Sequence, residues 1–201
     1  MPNSPKVRSE KTKLFYLSSL TLFGMSAFGI LLIIYVQHKD VSQKLLGGKN
    51  YYLQGITGLF FGSFAAILGL VLINGKFFRN ARTYFDDLLD DLNPSLASIL
   101  FYAFSAAVGE EILFRAGIQG AIGIWPAALL FVILHGYIVP KNIPLVFYNV
   151  FLVVVSAGFG YLFKHFGLVS AIVAHFVYDV AMFCVLKYAF HTKKEVKPEL
   201  V

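Results

Sequence analysis

The feature that most constrains this chain is a run of 23 residues, Leu14–Val36, without one charged side chain. About 20 apolar residues cross the hydrocarbon core of a bilayer as a helix, so the run reads as a full transmembrane span. It is too long for a signal-peptide core, and no A-x-A-like cleavage site follows it. Tyr51–Ile73 is a second such run, rich in Gly and Ala that permit close helix packing. Composition agrees: 58% of residues are hydrophobic and 14% charged, against about 45–50% and about 25% in soluble domains. A soluble domain is excluded. The net charge of +6 sits in tails and loops, which in a membrane protein is a topology signal and gives no reason to expect nucleic acid as a partner. Cys184 is the single cysteine, so there is no disulfide within the chain and no CxxC metal site.

Met1–Lys13 is polar and basic and is expected to be a disordered tail. His38–Asn50 reads as a polar loop with the Gly47-Gly48 breaker near its end. In Phe77–Leu92 the apolar residues recur at a helical period, while Arg79, Arg82, Asp86, Asp87, Asp90 and Asp91 fill the other face. That pattern suits an amphipathic helix lying in the membrane interface, or a solvated connecting helix. Four more helices are expected over Ser95–Ala121, Trp125–Val139, Pro144–Phe163 and Gly167–Phe190. The expected fold is all-α: a polytopic membrane helix bundle of about six transmembrane helices plus one interfacial amphipathic helix. It divides into a tail (1–13), an N-terminal membrane part (14–92), a helical core (93–190) and a polar tail (191–201). The chain is expected in the cell (plasma) membrane. With a cytoplasmic N-terminus, twelve Lys and Arg fall on the cytoplasmic side and four, Lys39, Lys44, Lys49 and Lys164, on the other, as the positive-inside rule favours.

Against that apolar background the stretch SAAVGEEILFRAGIQG, 105–120, carries Glu110, Glu111 and Arg115. A charged side chain at mid-membrane costs roughly 2.5–3.5 kcal/mol on insertion scales. With Asp179, four such groups would cost on the order of 10 kcal/mol before pairing. Glu111 and Arg115 share a helix face and can pair, either as a structural strut or as part of a site. Glu110 points about 100° away and needs another partner. His135 closes the run FVILH, and His175 and Asp179 share a face in AHFVYD. Let the turns at Ile122–Ile124 and His165–Phe166 mark one membrane face, with a rise of about 1.5 Å per residue. Glu110 then lies about 16 Å deep, His135 about 15 Å, His175 about 12 Å and Asp179 about 18 Å. Three helices deliver polar groups to one layer.

Three chemistries fit such a layer. A desolvated Glu can act as general base on water, provided another group stabilises the developing oxyanion. Glu, His, His and Asp are also plausible zinc ligands, although the HExxH pattern is absent. A proton or ion relay in a transporter is the non-enzymatic alternative.

The residues also carry a family resemblance. EEILFR fits EExxxR, FVILH fits FxxxH and HFVYD fits Hxxx(N/D), in that order and each on its own expected helix. The chain resembles the CAAX prenyl protease 2 family, also called the Abi or CPBP family of intramembrane endopeptidases, over about Ser95 to Phe190. The resemblance implies that Glu110 activates water with help from His135. It implies that Glu111 and Arg115 hold the first motif, and that His175 and Asp179 line the oxyanion side. Many relatives carry Asn where this chain has Asp179. An ionised Asp cannot donate a hydrogen bond, so Asp179 holds a proton, orients His175 or coordinates a metal. The glutamate-type reading requires no cofactor. The alternative is zinc held by Glu110, His135, His175 and Asp179. The implied partners are a membrane-associated or lipid-modified protein or peptide substrate and the lipid bilayer. The rival reading is a non-catalytic scaffold or bacteriocin-immunity protein, and both glutamates of the motif are intact.

Overall fold

Apolar runs of this length fold as helices because a helix satisfies its own backbone hydrogen bonds where water is absent. The computed structural model of the chain describes residues 5–79, 81–83, 94–135 and 142–190, and the described residues form helices and loops without a strand. In chain order the helices are α1 (Pro5–Leu20), α2 (Ser26–Tyr35), α3 (Val41–Leu46), α4 (Tyr51–Asn74), α5 (Leu96–Glu111), α6 (Gln119–Ile122), α7 (Ile124–Leu134), α8 (Ile143–His165) and α9 (Leu168–Val185). Wider π-helical turns join α1 to α2 at Thr21–Met25 and α5 to α6 at Ile112–Ile118. Five continuous helices are long and apolar enough to cross a membrane: Thr12–Tyr35, Tyr51–Asn74, Leu96–Ile122, Ile143–His165 and Leu168–Tyr188. The chain is a multi-pass integral membrane protein. Its outward faces are apolar: Phe60 is 75% exposed, as suits contact with lipid.

Several expectations change. The first helix begins at Pro5, inside the segment expected to be a disordered tail; a proline fits the first turn of a helix, where its missing N–H has no partner to lose. The expected loop His38–Asn50 contains α3, started by Asp40, whose carboxylate accepts from the Gln43 backbone N–H at 2.7 Å. The two bonds that Asp40 accepts, from Ser42 Oγ and Gln43 N, hold its carboxyl below the usual carboxylate range. The span expected over Trp125–Val139 stops as a helix at Leu134, and residues 136–141 lie outside the described residues. At 11 residues α7 is about 16 Å long, near half the hydrocarbon thickness. Of the amphipathic helix expected over Phe77–Leu92, residues 80 and 84–92 lie outside the described residues, as does the tail 191–201.

Two sets of glycines bring the helices together. On α4, Gly58 and Gly62 face Ser170, Val173 and Ala174 of α9 so closely that a Cβ at Gly62 would sit 2.9 Å from the Ala174 Cα. In the N-terminal span, Gly29 lies against the Ile112 carbonyl and Leu113, and Gly109 against the backbone of Thr21 and Leu22. The two π-turns are thus packed backbone to backbone against the opposite helices. At one end of the bundle, tight turns at Gly123 (φ 88°) and Gly167 (φ 126°) reverse the chain. These φ values suit glycine, which has no Cβ to clash. The Gly47-Gly48 turn reaches the same end, since the Lys49 N–H donates to the Phe166 carbonyl at 2.6 Å.

The α4–α9 contact can be tested by thermal unfolding of the detergent-purified protein. Gly62→Leu should cost about 2 kcal/mol or more, read as a midpoint lowered by about 4–8 °C. Gly55→Ala is the control: nothing lies within 4 Å of a Cβ there, so its midpoint should hold or rise slightly.

Candidate active site

The site begins with the last turn of α5, which buries Glu110 and Glu111 side by side. Glu111 and Arg115 are both fully buried, and Arg115 Nε donates to Glu111 Oε2 at 2.8 Å. Arg115 Nη2 donates to Ser156 Oγ of α8 at 2.9 Å, and the guanidinium lies over the Phe131 ring, 5.4 Å from its centroid. The other Glu111 oxygen, Oε1, accepts from His175 Nδ1 at 2.9 Å. One carboxylate therefore ties together α5, the π-turn and α9, and Arg115 adds α8.

That arrangement sets the His175 ring. A carboxylate only accepts, so Nδ1 carries the proton of this bond and Nε2 faces the cavity. Nε2 lies 3.9 Å from Glu110 Oε2 and 3.4 Å from Asp179 Oδ2. Phe159 stacks on the imidazole at 5.3 Å, with an interplanar angle of 19°. His135 is held in a parallel way: its Nδ1 donates to the Phe131 carbonyl at 2.7 Å. Its Nε2 then points at Glu110 Oε2, 3.5 Å away. The Phe131 carbonyl takes two bonds at the end of α7, since the His135 backbone N–H also donates to it at 3.3 Å.

All six polar residues singled out in the sequence thus lie in one cluster. Glu110, His135, His175 and Asp179 converge; Glu111 and Arg115 stand behind them. Glu110 Oε2 is buried and has no hydrogen-bond partner, although two imidazole nitrogens lie within 4 Å. The cluster opens on a cavity of about 300 Å³ whose walls include Tyr102, Leu152, Tyr148, Met182 and Phe183. The apolar walls and single polar end suit a peptide segment or an apolar chain laid against Glu110. Zinc would need a set of ligands at bonding distance. Among the described residues, no group of three or more His, Cys, Asp and Glu side chains is arranged to hold a metal ion.

Sequence reasoning missed Ser156, a lone hydroxyl in the apolar run VVVSAGFG that gave no signal of its own. It also missed the Tyr148–Tyr178 pair, whose hydroxyls meet at 3.1 Å beside the cavity. The aromatic walls of the two imidazoles, Phe131 and Phe159, were hidden among the 21 phenylalanines. The π-turn at Ile112–Ile118 is also invisible in the pattern, yet such turns often mark functional sites.

Comparison with known proteins meets this geometry. The chain is 30% identical over 110 residues to the Uncharacterized protein YpbD of Bacillus subtilis (strain 168), a match covering 53% of this chain and 54% of that protein. The match thus spans about half the length of that relative. No solved structure matches the chain. A family model, type II CAAX prenyl endopeptidase Rce1-like, matches residues 92–181. That span takes in every residue of the cluster from Glu110 to Asp179, so the part of the chain that carries the cluster is similar to type II CAAX prenyl endopeptidases of the Rce1-like kind.

Proposed function

We propose that the chain is an intramembrane endopeptidase that hydrolyses a peptide bond of a membrane-associated or lipid-modified, CAAX-like protein by water activated at Glu110. The catalytic unit is the helical core 93–190. The observation that carries the reading is Glu110 Oε2: buried, without a hydrogen-bond partner, and faced by the Nε2 atoms of His135 and His175.

The roles follow from hydrogen-bond arithmetic. With Nδ1 donating to Phe131, a neutral His135 presents a lone pair at Nε2, and the ionised Glu110 presents another at Oε2. Two acceptors do not bond each other, but a water can donate to both. Glu110 takes one proton from that water, and the hydroxide attacks the scissile carbonyl carbon. The carbonyl oxygen becomes an oxyanion and needs a donor. His175 Nε2 and Asp179 Oδ2 lie 3.4 Å apart, and a proton carried by the Asp179 carboxyl is an O–H that can turn from Nε2 to donate to the oxyanion as the charge develops. When the tetrahedral adduct collapses, the C–N bond breaks and the Glu110 carboxyl returns its proton to the leaving amine. Glu111 and Arg115 act through His175, as positioning residues. The family match and the apolar cavity support a membrane-borne substrate.

Glu110→Gln keeps the shape and removes the base. Cleavage of a membrane-anchored reporter peptide should fall by at least about a thousandfold, near the upper range for loss of an acid–base group, while the protein's level in the membrane holds. A Gln variant with wild-type turnover would sink the mechanism. The reaction as written also runs without a metal: dialysis of the purified enzyme against a strong chelator should leave turnover unchanged. Loss of activity that added zinc restores would replace this chemistry with a metal-assisted one.

A further inference from the structure

Between residues 110 and 119, among the described residues, three buried side-chain atoms have no hydrogen-bond partner: Glu110 Oε2, Arg115 Nη1 and Gln119 Oε1. Native interiors rarely leave such atoms unpaired, and buried water is the usual partner where protein supplies none. The last two belong to successive rungs. Arg115 reaches Ser156 through Nη2, and Gln119 Nε2 donates to the Gly160 carbonyl at 3.0 Å. Ser156 and Gly160 are one turn apart on α8, so the rungs are separated by about 6 Å.

The outer rung opens on a second cavity, of about 360 Å³, lined by Gln43, Lys44, Gln119, Gly120 and Lys164 at the loop end of the bundle. This cavity is polar where the one over Glu110 is walled by aromatic and aliphatic side chains. A Cβ at Gly160 would lie 2.5 Å from Gln119 Oε1, so glycine is what lets the amide pack against this turn of α8. A hydrolase inside a bilayer consumes one water per bond broken. Its apolar cavity is filled by substrate at the moment the water is needed.

We propose that the seam between the Ile112–Ile122 stretch and α8 is a water path. Gln119 Oε1 accepts from one water, Arg115 Nη1 donates to the next, and Glu110 Oε2 receives the last. The lysine-lined cavity is the mouth. Gln119 is then a positioning residue for the nucleophile, and the proposal rests on the hydrolase reading given above.

Hydroxyl-radical footprinting of the full chain in lipid vesicles tests the path, because radicals formed from internal water oxidise the side chains beside it. Ser156→Cys in a Cys184→Ser background places a reactive probe at the inner rung. Adding Gln119→Leu should lower oxidation of the cysteine at 156 at least fivefold. An unchanged rate would show that water arrives through the apolar cavity and would overturn the path. The native Phe159, buried beside the same turn of α8 and, like Ser156, also bordering the apolar cavity, gives a second reading in Gln119→Leu alone, should the cysteine variant fail to fold. Its oxidation should also fall, and an unchanged rate there counts equally against the path. Tyr102, on the wall of the apolar cavity, should keep its rate; a parallel fall there would mean the whole site had collapsed, and would remove the case for a separate path. The readout does not depend on cleavage. A wild type that cleaves nothing yet shows this response would fail the hydrolase reading alone. An active wild type with unchanged labelling would fail the path alone.

Discussion

The ion pair between Glu111 and Arg115 is the interaction on which the rest of the polar interior depends. Both side chains are fully buried, so each alone would be an uncompensated charge in a low-dielectric setting. Paired through Nε, they still leave one carboxylate oxygen and two guanidinium nitrogens to be satisfied elsewhere. His175 takes the oxygen and Ser156 one of the nitrogens, Nη2. The pair therefore orients the imidazole on α9 and fixes the approach of α8 in one network. Removing either member would strand the other, which is why buried pairs are costly to break even where they add little net stability.

The π-turn at Ile112–Ile118 stands directly behind this pair. A wider turn shifts the phase of everything beyond it, so Arg115 and Gln119 meet α8 at Ser156 and Gly160 while Glu110 and Glu111 look toward α7 and α9. The N-terminal span supports that turn from outside. Gly29 rests on the Ile112 carbonyl and Gly117 approaches Gly29, so a span with no member of the Glu–His–Arg cluster still sets the position of one that has three.

Much of this was legible in the sequence, and for stated reasons. The apolar runs gave the helical membrane fold because their length matches a bilayer. The pairing of Glu111 with Arg115 followed from a spacing of four, and the meeting of Glu110 with His135 and His175 followed from the rise per residue. Ser156 was not legible, because a single serine in an apolar helix looks the same whether it bonds its own backbone or a distant guanidinium. The π-turn was not legible because one extra residue per turn leaves hydrophobic periodicity unchanged in a stretch apolar on all sides. The early end of α7 was hidden because Ile133 and Leu134 would suit either a continuing span or an end sealed by His135.

The placement of both members of the ion pair on one helical stretch bears on how the chain enters the membrane. Glu110 is synthesised 65 residues before His175, which at about 5–20 residues per second is roughly 3–13 s. During that interval the helix carrying Glu110, Glu111 and Arg115 faces the insertion machinery without its later partner. Because Arg115 neutralises Glu111 from one turn away, the helix brings its own counter-charge and can leave the translocon before α9 exists. The imidazole arrives last, on the final span, and docks against a carboxylate already held in place. A nascent chain therefore lacks the assembled polar cluster until α9 has reached the bilayer.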